Sequence, residues 1–583
     1  MKKRVIASLL AIGMTASAVM GCGNTQTANE APSEMPEEVW YETEDTAEAS
    51  SEACTDAETE NWYEPTCEEA ATADETSAAV QALTGDLEKN IDAYGFTTDS
   101  IAGEEYTEQT PNGFDSVANA PLSTFAADVD TASYANVRRL ITQGYGLYDI
   151  PGGVVRPEEM INYFDYDYPQ PKNGERFGVN AVISECPWNS ESKLMILGVN
   201  TKELSVSKRP ASNIVFLLDI SGSMASEDKL PLLKDSLEIL TKSLDRNDRV
   251  SIVTYASGTN VVLDGVRGND YWQIIGAFDR LSAGGSTNGE GGIDLAYQVA
   301  EENFIKGGNN RVIIGTDGDF NVGKSTSGEL ENFISEKKES GIYLSVLGFG
   351  TGNYSDTIAE TLADAGNGNY SYIDSLHEAE KVLGKEMYST IYTVAKDVKF
   401  QVEFNPAMVS SYRQIGYENR ALNAEDFKDD TKDGGEVGAG HQVTVAYEIQ
   451  LANGNGAGSD LKYQDGVVNE KGKAKDEWCT LSVAYKDPDK NTSEYLEFPI
   501  DADNYTTKPS DDFIFATSVA EFAMALTGSE YLVDMDREEA LDQAIKTAGM
   551  VDLTDEYKAE FLELMELVDG GAHYYEEDDL WYE

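Results

Sequence analysis

The sequence predicts an α/β protein in which a doubly wound, mostly parallel sheet is inserted into a β-sandwich and followed by a C-terminal helical segment. Between residues 210 and 392, strand-like and helix-like segments alternate with short loops, which is typical of a parallel sheet covered by helices on both faces. Segments with an apolar period of two flank this block at 176–205 and 396–505. The block therefore interrupts one β-structure.

Individual segments support this fold class. The run from Ile214 to Leu218 is apolar at consecutive positions, which favours a strand that is buried on both faces. From 510 to 570 the apolar residues return at helical spacing, which predicts a small helical cap after the β-structure. The aromatic run Tyr163, Phe164, Tyr166 and Tyr168 is interpreted as packing in a core.

The first 21 residues have a basic start, an apolar stretch and small residues, which is the layout of an export signal. The stretch Val19-Met20-Gly21-Cys22 resembles the lipobox of bacterial lipoproteins, and this resemblance implies cleavage before Cys22 and a diacylglycerol on its thiol. The alternative is an ordinary secretory signal with a chance cysteine. We expect an extracytoplasmic protein that is lipid-anchored in a bacterial cell envelope.

Residues 23 to about 115 are acidic and poor in branched apolar side chains, so they are interpreted as a solvated tether. The predicted organisation is a signal peptide at 1–21, an acidic disordered tether at 22–115, an N-terminal segment with β-strands at 116–209, the alternating domain at 210–392, a β-rich C-terminal domain at 393–505 and a helical segment at 506–583.

The formal net charge of −62 argues against nucleic acid and anionic lipid surfaces as partners, because both would be repelled. Five cysteines are present, and export permits disulfides without requiring them in a chain of this size. A bridge between Cys186 and Cys479 is an open hypothesis that requires their strands to be neighbours.

Polar residues cluster after the predicted strands and before one helix. Asp219, Ser221 and Ser223 follow the first strand of the alternating block, Thr287 precedes a helix, and Asp317 follows a later strand. Ligands of open α/β sheets gather beyond the carboxyl ends of the strands. Hydroxyl and carboxylate oxygens are hard ligands, so they favour Mg²⁺, with Mn²⁺ or Ca²⁺ as alternatives.

The D-x-S-x-S run, the distant threonine and the T-D-G tripeptide resemble the metal-ion-dependent adhesion site of the von Willebrand factor type A (VWA) domain, a Rossmann-like fold. The resemblance implies that Ser221, Ser223 and Thr287 touch the metal directly or nearly so. It also implies that Asp219 and Asp317 often act through water, and that one coordination position is kept for a partner's carboxylate.

The wider chain resembles the bacterial VWA lipoproteins that carry a family-specific N-terminal segment and C-terminal domain. The resemblance covers about 120 to 570 and rests on the following stretches: STFAADVDTASYANVRR, RPEEMINYFDYDYP, the three loops above, AKDVKFQVEFNP, and YRQIGYENRAL followed by DFKDD and GEVGAGH. This resemblance predicts the fold in more detail than the biological function.

A competing motif is present, because Gly318 to Ser325 reads G-x-x-x-x-G-K-S, the pattern of a phosphate-binding loop. A phosphate cradle here would contain Asp319 and follow Asp317, and these charges would repel an anion. The loop also follows a later strand instead of the first. The prediction is therefore that no nucleotide binds, with Ser325 or Thr326 as a helix cap.

The expected function is binding of a partner protein that offers an Asp or Glu carboxylate to the metal. His377, His441 and His573 are spread over different segments, and we find no nucleophile and base pair, so an enzyme is not expected. The alternatives are an enzyme assembly factor or hydrolase whose VWA site recruits a substrate or an ATPase, and a structural envelope protein that uses no metal.

Overall fold

The computed structural model describes residues 98–570 except 102–103, 128–129, 173, 204–208, 319–326, 339, 353, 453–475, 489 and 491. The predicted signal peptide, Cys22 and His573 lie outside the described residues. The same is true of the predicted tether up to residue 97 and of Asp319 to Thr326 in the phosphate-loop motif.

The strands, numbered in chain order, are β1 Thr98–Ile101, β2 Glu104–Thr107, β3 Asp115–Ser116, β4 Leu122–Ala126, β5 Phe177–Glu185, β6 Ser192–Thr201, β7 Ser212–Asp219, β8 Arg249–Tyr255, β9 Thr259–Arg267, β10 Asn309–Thr316, β11 Ile342–Phe349, β12 Tyr370–Ile373, β13 Thr393–Phe404, β14 Val409–Ile415, β15 Gly435–Gly438, β16 Gln442–Leu451, β17 Glu477–Lys486 and β18 Glu494–Asp501.

The α-helices are α1 Ala132–Thr142, α2 Pro157–Asn162, α3 Leu230–Lys242, α4 Tyr271–Phe278, α5 Gly289–Glu302, α6 Ser327–Lys338, α7 Asp356–Ala365, α8 Leu376–Glu380, α9 Met387–Ile391, α10 Asp511–Thr527, α11 Arg537–Ala548 and α12 Glu556–Asp569. The three long C-terminal helices occupy the range that the apolar spacing predicts.

A six-stranded sheet forms the centre of the alternating block, with strand order β12-β11-β10-β7-β8-β9. All neighbouring pairs are parallel except β8 and β9, which form an antiparallel pair at one edge. The strand order reverses at β7, as in doubly wound sheets, so the loops after the central strands meet at one edge.

The central strand β7 is buried along its whole length, because helices cover the sheet on both faces. Ile214 and Phe216 contribute to one apolar core, and Val215 and Leu217 contribute to the core on the opposite face. The alternation follows from the two-residue repeat of a strand. This two-sided burial explains why the sequence shows consecutive apolar residues here.

Two further sheets of five strands surround the insertion in sequence. One has the order β3-β14-β16-β6-β5, and the other has β15-β13-β17-β18 with β4 also paired to β13. They share one apolar core, in which the Phe404 ring lies 4.1 Å from that of Tyr412 and 5.4 Å from that of Tyr447. The strands before and after the central sheet therefore build one sandwich.

Part of the range interpreted as a solvated tether is folded. β1 and β2 form a hairpin inside the range interpreted as tether, and Tyr106 within it is buried. The Glu104 carboxylate, which is fully buried, is 2.6 Å from Arg139 and accepts a hydrogen bond from the Tyr106 hydroxyl. Glu104 and Tyr106 are thus fixed by contacts with a helix far along the chain, which composition does not reveal.

The N-terminal segment and the C-terminal helices share another core. It contains Tyr134 from α1, the aromatic run after α2, and apolar residues of α10, α11 and α12. Tyr163 stacks on Tyr134 with ring centroids 3.9 Å apart, and Phe164 packs edge-on against Phe515 at 4.9 Å. All four residues of the aromatic run are buried, which confirms the prediction that they pack in a core.

Cys186 and Cys479 are both free and buried, and they lie in different cores. Cys479 is on β17, where its thiol contacts the sulfur of Met195 at 3.8 Å. β17 pairs with β13 and β18, whereas Cys186 directly follows β5 of the other sheet. The hypothesis of a bridge between them is therefore wrong, because the two strands are not neighbours.

Within the part of the chain that the structure describes, no helix is both long enough and apolar enough to cross a membrane.

Candidate functional site

The predicted site residues lie at the carboxyl edge of the central sheet. Asp219 is the last residue of β7, and Asp317 directly follows β10. These two strands are parallel neighbours, with Leu218 opposite Gly315, so both aspartates emerge at the same edge. Both carboxyl groups are fully buried. The structure therefore brings together two charged residues that are far apart in sequence.

The loop after β7 folds back on its first residue. The backbone N–H of Ser221 donates to Asp219 Oδ1 at 2.8 Å, and the Ser221 and Ser223 hydroxyls are 3.0 Å apart. Gly222 begins a short turn of 3₁₀ helix that ends at Ala225. This geometry gathers one carboxylate and two hydroxyl oxygens over five residues of chain.

The loop before α5 is hydrogen-bonded to the loop after β7. Gly222 donates its N–H to the carbonyl of Gly285 at 3.0 Å, and Gly284 donates to the carbonyl of Ile220 at 2.8 Å. Gly285 has φ of +94°, and a Cβ there would clash with Ser257, so glycine is required for this approach. Thr287, which is half-buried, lies in this loop two residues before α5 begins at Gly289.

Burial dominates the electrostatics of Asp219. It raises the pKa of this carboxyl to about 6, hydrogen bonds from Ser221 lower the pKa, and the nearby charge of Asp317 raises it further. The carboxyl group also interacts with the Tyr255 hydroxyl, which lowers the pKa, but its second oxygen, Oδ2, is buried and makes no hydrogen bond of ordinary geometry among the described residues. A buried carboxylate oxygen that lacks a well-formed hydrogen bond is costly, so a cation could bind there.

Asp317 has a charged partner that the sequence analysis did not anticipate. The Lys229 ammonium lies 2.9 Å from Asp317 Oδ2, and both side chains are almost completely removed from solvent. Lys229 immediately precedes α3, ten residues after Asp219 in the chain. The only sequence signal for a buried lysine was its position next to the apolar stretch Leu230 to Leu233. The local sequence did not indicate that its partner would be Asp317.

The donor set fits a hard divalent cation. The ion would be held by oxygen atoms only, from Asp219, Ser221, Ser223, Thr287 and Asp317. The Oδ2 of Asp219, which makes no hydrogen bond of ordinary geometry among the described residues, would be one of its ligands. The described residues contain no group of three or more His, Cys, Asp or Glu side chains that could hold a metal. The arrangement therefore has fewer charged ligands than an all-carboxylate cage.

The histidines within the described residues do not enter this site. His377 stacks on Tyr557 with ring centroids 4.5 Å apart, at the contact between α8 and α12. His441 directly precedes β16 in the sandwich, where its carbonyl accepts a hydrogen bond from Thr201. His377 is thus placed by a ring contact between two helices, and His441 is placed by its backbone hydrogen bond in the sandwich.

Three family models match this chain. "von Willebrand factor type A domain" matches residues 213–385, "von Willebrand factor" matches 100–196, and "Uncharacterized protein YfbK, C-terminal" matches 389–570. The first match covers the central sheet with its candidate site. The third covers the late sandwich strands and the three C-terminal helices.

A curated relative of similar architecture is the "Uncharacterized protein YfbK" of Escherichia coli (strain K12). It is 42% identical over 474 residues, which are 80% of this chain and 81% of the relative. The bovine (Bos taurus) "Calcium-activated chloride channel regulator 1" is 26% identical over 171 residues, or 29% of this chain and 18% of that protein.

Among solved structures, a von Willebrand factor type A protein from Catenulispora acidiphila is 14% identical and has a TM-score of 0.40, covering 69% of this chain and 91% of that one. The extent and identity of the E. coli match carry the assignment. The chain therefore belongs to the family of bacterial von Willebrand factor type A proteins that carry the YfbK-type C-terminal domain.

Proposed function

We propose that the protein binds a partner protein through a divalent cation, with Mg²⁺ as the favoured ion, held by Asp219, Ser221, Ser223, Thr287 and Asp317. The observation that carries the proposal is the buried Oδ2 of Asp219, which makes no hydrogen bond of ordinary geometry among the described residues, next to the Ser221 and Ser223 hydroxyls, which are 3.0 Å apart. A VWA domain is a protein-interaction or adhesion module that is often metal-dependent.

The charge balance of the donor set favours an acidic partner. Only two of the five proposed donors are carboxylates, and Lys229 already compensates Asp317. When bound, the cation would supply a positive centre that attracts a carboxylate of the partner. Ser221, Ser223 and Thr287 contribute neutral oxygens, so they orient the ion without cancelling its charge.

The proposal includes the place where binding occurs. The export-type N-terminus and the lipobox-like stretch before Cys22 support an extracytoplasmic protein that is lipid-anchored in the bacterial cell envelope. We assign binding and not catalysis, because the candidate site offers acceptor oxygens around a proposed cation, and His377 and His441 lie in other elements, where His377 stacks on Tyr557 and His441 accepts a backbone hydrogen bond.

The test is a pull-down from solubilised cell envelope with the full-length protein as bait, with and without EDTA. Asp219→Ala removes the oxygen that is proposed to hold the cation, so we expect the specific partner to be lost with this variant and with EDTA. Asp294→Ala, at an exposed position of α5 in the same domain, is the matched control and should keep the partner. An identical partner list with wild type, EDTA and Asp219→Ala would contradict the proposal.

A further inference from the structure

The ion pair between Lys229 and Asp317 lies inside the proposed cation site. The Lys229 residue is 5% exposed and Asp317 is fully buried, so water screens their charges weakly. The ammonium is 2.9 Å from a carboxyl oxygen that belongs to the proposed donor set. The metal-free site therefore already contains one positive charge that is supplied by the chain.

The Lys229 side chain is held in this position by its surroundings. Its backbone forms a turn with Ser226 and begins α3, because the N–H of Leu233 donates to the Lys229 carbonyl at 2.8 Å. Gly350, with φ of +78°, lies against the methylene stem, and a Cβ on Gly350 would overlap several of its carbons. These contacts restrict the conformation of the Lys229 side chain and keep its ammonium next to Asp317.

The loop that contains Gly350 is fixed in turn by the N-terminal segment. The Tyr372 hydroxyl donates to the Gly350 carbonyl at 2.6 Å, and the N–H of Gly352 donates to Glu104 at 3.1 Å. Arg139 pairs with Glu104 and lies over the Tyr372 ring at 5.3 Å. These contacts connect the loop against Lys229 to the strand β2 and the helix α1.

We propose that Lys229 is a tethered cation that competes with divalent ions for Asp317 and thereby lowers the cation affinity of the site. The inference rests on the proposed function, because it concerns regulation of the same site. With Asp219 and Asp317 ionised, Lys229 reduces the net charge of the buried group from −2 to −1. A divalent ion that binds here either separates Asp317 from Lys229 or binds close to the positive charge of Lys229. Both outcomes weaken the affinity of the site for the ion.

The test measures binding of Mg²⁺ and Mn²⁺ to the full-length protein by calorimetry. Lys229→Gln removes the charge and keeps a polar side chain, so we expect affinity to rise by about tenfold or more. Lys229→Arg keeps the charge and should change affinity much less. Lys338→Gln removes a lysine that pairs with Asp433 away from the site and should bind like the wild type. Equal or weaker cation binding by Lys229→Gln would overturn the inference.

The stability of the variants gives a second readout. In EDTA, Lys229→Gln leaves Asp317 buried without its partner, so we expect a lower unfolding temperature than for the wild type, and Mg²⁺ should restore it. A merely structural lysine would lower the unfolding temperature to the same extent with and without Mg²⁺.

If Lys229→Gln does not fold, the inference can be tested on the wild type by chemical labelling of lysine amines. Peptide mass spectrometry then measures how strongly each lysine is labelled. Labelling of Lys229 should increase at saturating Mg²⁺ while labelling of Lys338 stays constant, and an unchanged Lys229 would overturn the inference.

The outcome also separates this inference from the proposed function. If the wild type binds Mn²⁺ and Asp219→Ala does not, the site stands, and an unchanged affinity of Lys229→Gln refutes only the role of Lys229. If neither the wild type nor Lys229→Gln binds either ion, both proposals fail. Binding by Lys229→Gln alone supports both, because it shows a cation site that the lysine suppresses.

Discussion

Buried charged side chains in this protein have two kinds of surroundings. Asp317 has a cationic partner, whereas Asp219 and Glu521 each have buried carboxyl oxygens without a hydrogen-bond partner of ordinary geometry among the described residues. Glu521 lies on α10, away from the candidate site, inside the helical core. Unpaired buried carboxyls resist ionisation, so these positions make stability depend on pH.

Glu521 gives a direct prediction. Burial raises the pKa of Glu521 to about 8, with Thr547 and Lys546 of α11 lowering it only in part. A raised carboxyl pKa stabilises the folded state at low pH, and this contribution is lost as pH rises through the folded-state value. Glu521→Gln, which cannot ionise, should therefore gain stability over the wild type with increasing pH, by on the order of 4 kcal/mol between about pH 5 and pH 9.

The measurement is the unfolding temperature of both proteins across this pH range. Glu563→Gln, at an exposed position of α12, is the control for losing one acidic side chain. A difference between wild type and Glu521→Gln that does not change with pH would show that Glu521 is not protonated in the folded protein.

Single helices join parts of the chain that are far apart in sequence. Arg138 on α1 pairs with Asp374 at 2.5 Å and Glu378 at 2.7 Å, next to the central sheet, and with Glu560 of α12 at 3.1 Å. Arg156 before α2 pairs with Asp356 of α7 at 2.8 Å. Buried ion pairs therefore connect the N-terminal helices to the central domain, and the partly exposed pair of Arg138 with Glu560 connects them to the C-terminal helices.

Arg138→Ala should be strongly destabilising. The substitution leaves Asp374 and Glu378 buried without their shared partner, and removal of one side of a buried ion pair costs about 3 to 5 kcal/mol. Chemical denaturation of the full chain measures the loss. Arg246→Ala, at an exposed position, should change stability by less than about 0.5 kcal/mol. Similar small effects of both variants would contradict the bracing role of Arg138.

The central domain shares its apolar cores with segments that lie before and after it in the chain. Ala132 and Ala135 of α1 belong to the core on one face of the central sheet, and Ala439 of the sandwich belongs to the core on the other face. A fragment that contains only residues 210–392 would expose these contact surfaces to water.

We therefore expect the fragment 210–392 to unfold at a lower temperature than the central domain does in the full chain. The loss of buried apolar contacts and of the Arg138 and Arg156 ion pairs is the physical reason. Calorimetry of fragment and full chain, with hydrogen exchange to follow β7 in each, measures the difference. Equal protection of β7 in both would show that the central domain is energetically independent.

Much of the fold was predictable because its signals are local. Consecutive apolar residues predicted β7, helical spacing predicted α10, α11 and α12, and flanking segments of period two predicted an interrupted sandwich. The strands β3 and β4 were not predicted, because they are short and pair with β14 and β13, almost 300 residues later. Pairings at that separation leave no mark on local periodicity.

The candidate site divides in the same way. The position of Asp219 and Asp317 at one edge could be predicted, because the ends of parallel strands meet there and strand ends can be recognised in order along the chain. That Ser221, Ser223 and Thr287 join them around one cation stays a prediction. The partner of Asp317, the hydrogen bonds that join the two loops and the separate cores of Cys186 and Cys479 were decided by tertiary packing. Those contacts depend on which side chains meet after the layers assemble, and the spacing of residues along one element carries no information about the element that will cover it.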